Sequence, residues 1–213
     1  MGLFSKEKKY SRAALLEKAA KARAKGKHKV AVEAYREILE HEPADPETIA
    51  RLAASLAELK HPEAWPRFRA AADAFLAKGF DKKAMAVLRD ALGHDPRNAE
   101  SWMMLAELNL RASRKAEAIA LLLEGRSSLS RRKDRPDAIL ILVRVLQLQA
   151  GNLDAALDLA WLLKKEGRRR EALELLEKRT GMPEARDRRR VRAALFWLAP
   201  GFGALWRWIR ATP

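Results

Sequence analysis

The chain has 213 residues, of which 48% are hydrophobic and 33% charged. That is enough apolar material for a real core and argues against wholesale disorder. Its 43 Lys and Arg against 28 Asp and Glu give a net charge of +15, and it contains no Cys; disulfides, Cys-ligated zinc, iron–sulfur clusters, thiol nucleophiles and a lipid-modified Cys are therefore excluded.

The positive excess is uneven. Residues 1–106 carry 20 basic and 15 acidic side chains, and residues 107–213 carry 23 and 13. The basic residue also changes, from 12 Lys and 8 Arg to 5 Lys and 18 Arg. Such a balance favours anionic partners: nucleic acid, an acidic protein or a lipid headgroup surface. Residues 1–10 read as a basic N-terminal tail. The first thirty residues lack an apolar central stretch, so no secretory signal is expected. Nothing reaches the ~20 apolar residues of a spanning helix, and a cytoplasmic location is expected.

Hydrophobic periodicity predicts helices near 11–25, 28–42, 46–59, 62–78, 81–93, 98–112, 114–128, 135–150, 153–166 and 169–179. Connections of two to six residues make neighbours antiparallel, and no segment reads convincingly as a strand. Pro43 and Pro96 sit just past helical runs, where the ring cannot continue a helix. Asp45, Asp95 and Asn98 are suited to cap the helix that follows. Gly26, Gly79, Gly151 and Gly167 fall in breaks where a helix C-terminus is expected. Residues 62–78 and 153–166 are each expected to pair with the helix before and the helix after.

A repeat organises these elements. Phe68 and Trp102 are 34 apart, as are Ala72 and Ala106, Ala84 and Ala118, and Leu88 and Leu122. The spacing of Gly26, Ala31, Tyr35 and Pro43 recurs in Gly79, Ala84, Leu88 and Pro96. Trp102, Leu105, Ala106, Ala118 and Leu122 follow the pattern of a large residue, Leu, a small residue, Ala and an aliphatic or aromatic residue. On these residues the chain resembles the tetratricopeptide repeat (TPR) family, clearly over about 11–125 and more loosely to about 180. Beyond residue 125 the period breaks: Ala118 to Ala156 is 38, and Ala156 to Ala172 is 16. The resemblance implies an all-α fold, an α-α superhelix or solenoid of antiparallel helical hairpins. The expected division is a tail at 1–10, a repeat domain at 11–181 and a C-terminal segment at 182–213.

Catalysis finds no support. His28, His41, His61 and His94 are scattered among turns and helix ends, and no metal-binding spacing occurs. The Gly26-Lys27 pair has Lys21 where a phosphate loop needs its first Gly, and Gly201-Phe202-Gly203 lacks the strand and third Gly of a dinucleotide fingerprint. Acid pairs such as Glu40/Glu42 and Glu171/Glu174 sit on solvated helical faces. The expected protein is a non-enzymatic interaction scaffold or adaptor without cofactor or metal.

The resemblance implies that the first helix of each hairpin lines a concave groove for a peptide or helix. Carried over by position, the groove residues are Arg69, Asp73 and Leu76, then Met103, Glu107 and Leu110, then Ile141, Val145 and Leu148. The carboxylate-clamping Lys and Asn of the chaperone-binding subclass are missing: Leu16, Ala20, Ala50 and Ala54 stand there. A largely apolar groove with a few charges suits an amphipathic helix or an apolar segment of another protein. Residues 138–148 are apolar on every side, however, which is also how a simply buried helix reads.

The C-terminal segment is distinct. Residues 186–192 hold five Arg (Arg186, Arg188, Arg189, Arg190 and Arg192), and 193–206 are uncharged. Val191, Ala194, Leu195 and Leu198 share one helical face, Phe202, Leu205, Trp206 and Ile209 another, and Pro200-Gly201 separates them. With Trp197, Phe202, Trp206 and Trp208 beside Arg, the segment suits contact with an anionic membrane surface, at the inner face of the membrane. It equally suits a helix folded back to cap the last repeat. The third partner class is nucleic acid, RNA or DNA, bound through Arg clusters at 131–135, 168–170 and 186–192. Against it, the aromatics are segregated from those charges, whereas single-strand binders interleave them.

Overall fold

The computed structural model describes residues 10–200. Among these, eleven α-helices follow one another, with a single 3-10 turn at Arg132–Asp134 and no strand. They are α1 (Arg12–Ala24), α2 (His28–His41), α3 (Pro46–Glu58), α4 (Ala64–Ala77), α5 (Asp81–His94), α6 (Ala99–Arg111), α7 (Lys115–Ser128), α8 (Arg135–Leu148), α9 (Leu153–Lys165), α10 (Arg169–Glu177) and α11 (Ala185–Leu198). The fold is all-α and TPR-like, in two compact units, residues 1–96 and 97–213.

One turn recurs throughout. After α1, α3, α4, α6 and α9 a single residue takes the left-handed conformation: Gly26 (φ 67°), Lys60 (53°), Gly79 (75°), Ser113 (59°) and Gly167 (77°). In each case the next residue's N–H returns to a carbonyl five positions back. Lys27 bonds to Ala22, His61 to Leu56, Phe80 to Phe75, Arg114 to Asn109 and Arg168 to Leu163, all at 2.8–2.9 Å. This is the Schellman closure, which satisfies carbonyls otherwise orphaned at a helix end. It turns the chain back at once, so the following helix packs antiparallel on its predecessor. Gly151, expected at such a position, is not in the left-handed region; the α8–α9 connection uses a different turn.

Connections into α3, α6 and α9 work by the opposite device, a side-chain cap. Asp45 accepts the N–H groups of Glu47 and Thr48, Asn98 that of Ser101, and Asn152 that of Ala155. Ser11 does the same for α1. Asp95, expected to cap α6, instead ends α5, where its N–H bonds to the Ala91 carbonyl.

In the first unit α1 packs on α2, α2 on α3, α3 on α4 and α4 on α5. Ala19 and Ala31, and Ala72 and Ala84, are completely buried in these hairpins. Such small residues let helix axes approach closely. Tyr35, Ile38, Leu52 and Leu56 complete the core around α1–α3, each fully buried side chain contributing ~1.5–3 kcal/mol. In the second unit α6 packs on α7, α7 on α8, α8 on α9, α9 on α10, and α11 against α9 and α10. Ala106 and Ala118 take the small-residue positions in α6 and α7. For α9 and α10 the equivalent pair is Ala160 and Ala172, 12 apart like the other three. Trp102 needs a further accommodation. A Cβ placed on Gly125 of α7 would lie 2.5 Å from Trp102 Cγ, so only Gly admits that indole.

Three outcomes follow from this packing. Gly125→Ala gains helix propensity but forces Trp102 to move, and a net loss of ~1–3 kcal/mol is expected from overpacking, read as a lower urea midpoint. Gly79→Ala strains a left-handed position and loses ~1 kcal/mol, whereas Ser113→Gly relieves one and shifts the midpoint upward. Midpoint shifts of the same sign in those two variants would contradict the turn's role. Asp45 supplies a pH dependence. Burial alone raises its pKa, but the bonds from Thr48, the charge of Arg12 at 2.6 Å and the two N–H groups lower it on balance. A depressed folded pKa means a contribution fully present above the unfolded value of ~3.9 and lost as pH falls through the folded value. Asp45→Asn should remove that acid limb from the stability profile of the first unit while costing ~1 kcal/mol or less at neutral pH.

Candidate functional site

In the second unit Met103, Glu107 and Leu110 of α6 are each half-buried and are spaced to share one side of the helix. Glu107 receives a hydrogen bond from Arg144 of α8 at 3.1 Å and lies 3.8 Å from Arg111. Arg144 also bonds Gln147 at 3.1 Å. On α8, therefore, the side next to Glu107 is the one with Leu140, Arg144 and Gln147. Leu140 is 61% exposed and Val143 37%. Burying a Leu is worth ~1.5–3 kcal/mol, so leaving this one uncovered holds back apolar surface that a partner can bury.

Here the positional carry-over fails. Ile141 and Val145 are 0% exposed and belong to the core; Leu148 is only half-buried at the helix end. The exposed side of α8 is displaced by one residue, about 100° around the helix. Counting in 34s cannot find it, because Arg144 stands 37 positions beyond its partner Glu107.

In the first unit Arg69 and Asp73 of α4 are exposed and 3.8 Å apart as a same-helix pair, and Leu76 is half-buried one turn on. A second feature, unmarked in the sequence, is an open cleft of about 580 Å³ lined by Ala20 and Arg23 of α1, His28 and Tyr35 of α2, and Arg51 and Glu58 of α3. These six residues are scattered over 39 positions, and only the stacking of α1, α2 and α3 gathers them.

At the C-terminal end of the described chain, α11 lays Val191 and Leu198 into the core and leaves Ala194 and Leu195 half-buried beside them. Trp197 is 69% exposed and Trp161 of α9 is 49% exposed. Lys164 Nζ donates to the Trp197 carbonyl at 2.7 Å and sits 5.5 Å from the Trp161 ring, with Lys165 Nζ at 4.9 Å. Both Trp thus share a surface with two ammonium groups. Of the five Arg, Arg188 is spent on the Met182 and Pro183 carbonyls, and Arg190 bridges to Asp154 of α9. The Asp154 bond holds the Arg190 guanidinium above its usual pKa. Arg192 is half-buried, and Arg186 and Arg189 are exposed. Phe202, Trp206 and Trp208 lie outside the described residues.

In each of the Arg clusters at 131–135 and 168–170 one Arg is tied to a carboxylate. Arg135 pairs with Glu166 at 3.1 Å, and Arg168 makes two 2.7 Å bonds to Glu171, whose carboxyl is held below its usual range by them. A phosphate backbone would have to displace these partners. Among the described residues no cluster of His, Cys, Asp or Glu has the makings of a metal site, and no helix is long and apolar enough to cross a membrane.

Two tetratricopeptide-repeat family profiles match the chain, over residues 62–108 and 129–195. No curated protein matches. Solved structures that align with it include that of MamA, 19% identical, covering 91% of each chain with a TM-score of 0.33. A thermophilic TPR protein of Thermus thermophilus is 21% identical over 87% of this chain and 100% of that one, with a TM-score of 0.28. A Podosopora anserina putative kinesin light chain with nearly identical TPR-like repeats is 18% identical over 93% and 89%, with a TM-score of 0.39.

Proposed function

The chain is a TPR-like protein, and on that premise we propose that it is a protein–protein interaction scaffold that receives the apolar side of an amphipathic helix or peptide on α6 and α8. The observation that carries this is Leu140, 61% exposed in a helix otherwise rich in buried aliphatics. Val143, Met103 and Leu110 extend the apolar surface, and the Arg144–Glu107 pair gives a partner a polar register mark. Burying such a patch supplies affinity, and the paired charges supply orientation more than strength. Arg69, Asp73 and Leu76 of α4 offer a second contact of the same mixed character in the first unit.

A specific observation also favours a membrane contact. Trp161 and Trp197 are large exposed aromatics flanked by Lys164 and Lys165. Amphipathic aromatics beside cations suit the headgroup region, and each cation near an anionic surface adds ~1 kcal/mol. Arg186 and Arg189 add to that charge. In this reading α11 both covers the apolar edge of the last hairpin and holds the scaffold peripherally at the inner face of a membrane.

Two measurements test these readings. Leu140→Asp, at an exposed position, should leave the thermal melt unchanged and abolish capture of a cross-linked protein partner; full retention of that partner would move the binding face elsewhere. In vesicle flotation, wild type should rise with anionic vesicles and stay down with neutral ones. Trp161→Ser/Trp197→Ser should float less. Equal flotation of variant and wild type would remove these aromatics from the contact.

A further inference from the structure

We propose that the exposed side of α7 receives residues 201–213 of a second copy of this chain, so that copies join head to tail. This goes beyond the α6–α8 reading, which concerns other residues and another protein. The helices that follow a closure can be compared at the positions three, seven and ten residues past the left-handed one. In α2, α4, α5 and α10 at least two of these three are charged, as with Lys29, Glu33 and Arg36 of α2. In α7 they are Ala116, Ala120 and Leu123, all exposed, with Leu123 at 37% and Ile119 half-buried beside them. Since α7 already packs on α6 and α8, it carries apolar residues all round, the pattern of a helix with a further partner.

One edge of this side is acidic. Glu117 and Glu124 are exposed and stand one heptad apart, about 10.5 Å along the axis. Around the helix they lie about 40–60° from Ala120, on the side away from Leu123 and Ala116. In a chain of net charge +15 such an edge suits a cationic segment, and residues 201–213 supply one: Arg207 and Arg210 are their only charged side chains. These residues lie outside the described ones, but their spacing can be read. On a helix, Leu205, Ile209, Phe202 and Trp206 share one side, and Arg210 and Arg207 follow Trp206 in the same sense in which Glu124 and Glu117 follow Ala120. An antiparallel pair brings those like-handed edges together. The carboxylates of α7 then face the two guanidinium groups, and the apolar sides meet. Ala116 and Ala120 leave room for an indole, as Gly125 of the same helix does for Trp102.

The reach of the chain decides which copy supplies the segment. Phe202 lies two residues beyond Pro200, at most ~7 Å away. The helix before it, α11, packs on α9 and α10, whereas α7 packs on α6 and α8, and even packed helix axes stand ~8–10 Å apart. Phe202 of the same chain falls short of α7, so the occupant is a second copy. Patch and segment are different surfaces, which makes the contact heterologous and extendable into a ring or filament.

The test is sedimentation velocity of the full chain without lipid. Wild type should exceed the mass of one chain, increasingly so as concentration rises. Glu117→Lys/Glu124→Lys and Arg207→Glu/Arg210→Glu should each melt as wild type does and weaken self-association by about tenfold or more. Mixing these two variants should restore association, because each supplies the surface that the other lacks, and so should all four reversals in one chain. Glu33→Lys/Glu37→Lys, the same charge change on exposed positions of α2, should stay within about twofold of wild type, the spread expected from long-range charge. A wild type with the mass of one chain at every concentration would overturn the proposal. So would a mixture that does not associate, or an equal loss in the α2 variant, which would reduce the effect to net charge. Leu140→Asp should sediment as wild type; loss of association there would move the contact to α8 and equally overturn it.

Discussion

The five Schellman closures are the constraint on which the rest of the structure depends. A helix ends, one residue enters the left-handed region, and an N–H returns five residues to a waiting carbonyl at 2.8–2.9 Å. The chain reverses within three residues, and the two helices must then share a face. A buried alanine seven residues before the left-handed position and another five after it allow close approach in four of the five: Ala19/Ala31, Ala72/Ala84, Ala106/Ala118 and Ala160/Ala172. At the fifth, around Lys60, Ala53 is in place but the second position is Trp65, half-buried. That hairpin keeps its turn and changes its packing residue.

Because the second helix of a hairpin begins immediately after such a turn, it has no cap of its own; α2, α4, α5, α7 and α10 make no side-chain cap bond. The capped helices α1, α3, α6 and α9 are not entered through a closure, and neither are α8 and α11, which have no side-chain cap. Through α1–α7 and again at α9–α10, the two ways of satisfying orphaned backbone groups thus follow the two kinds of connection. Asp45 shows how much one cap can carry, since it also ties Arg12 of α1 to the start of α3. Helices α4 and α9 each pack on the helix before and the helix after, and at α4 a closure opens from a helix that has just completed another.

Much of the fold is legible because these signals are local. Helix positions follow from apolar periodicity, three of the five closures carry Gly, and Asp45 and Asn98 read as caps. What escapes does so for physical reasons. Lys60 and Ser113 occupy left-handed positions that side chains rarely adopt, and nothing in their identity announces it. Ala156 looks like the partner of Ala172, but the residue at the recurring offset is Ala160. Asp95 has the chemistry of a cap, yet Asn98 lies nearer the helix start and takes the role. The register of α8 is hidden because AILILVRVLQL offers apolar residues on all sides. Its exposed side is decided by which residues α7 and α9 cover, a tertiary fact.

The candidate surfaces illustrate the same division. Met103, Glu107 and Leu110 are half-buried at the positions that counting gives, since α6 stands inside the regular repeat. The cleft lined by Arg23, Arg51, His28 and Tyr35 is not found by counting, because its residues come together only when α1, α2 and α3 stack. A sequence dense in Lys, Arg, Asp and Glu predicts many ion pairs without saying which cations are left over. Several arginines are instead held by carboxylates of this same chain: Arg126 with Asp158, Arg135 with Glu166, Arg168 with Glu171, Arg190 with Asp154. A net charge of +15 is therefore a poor guide to where an anion binds. The informative positions are those that packing leaves open, such as Leu140 of α8 and Trp161 of α9, large apolar side chains held at the surface by a hairpin scaffold that buries their neighbours.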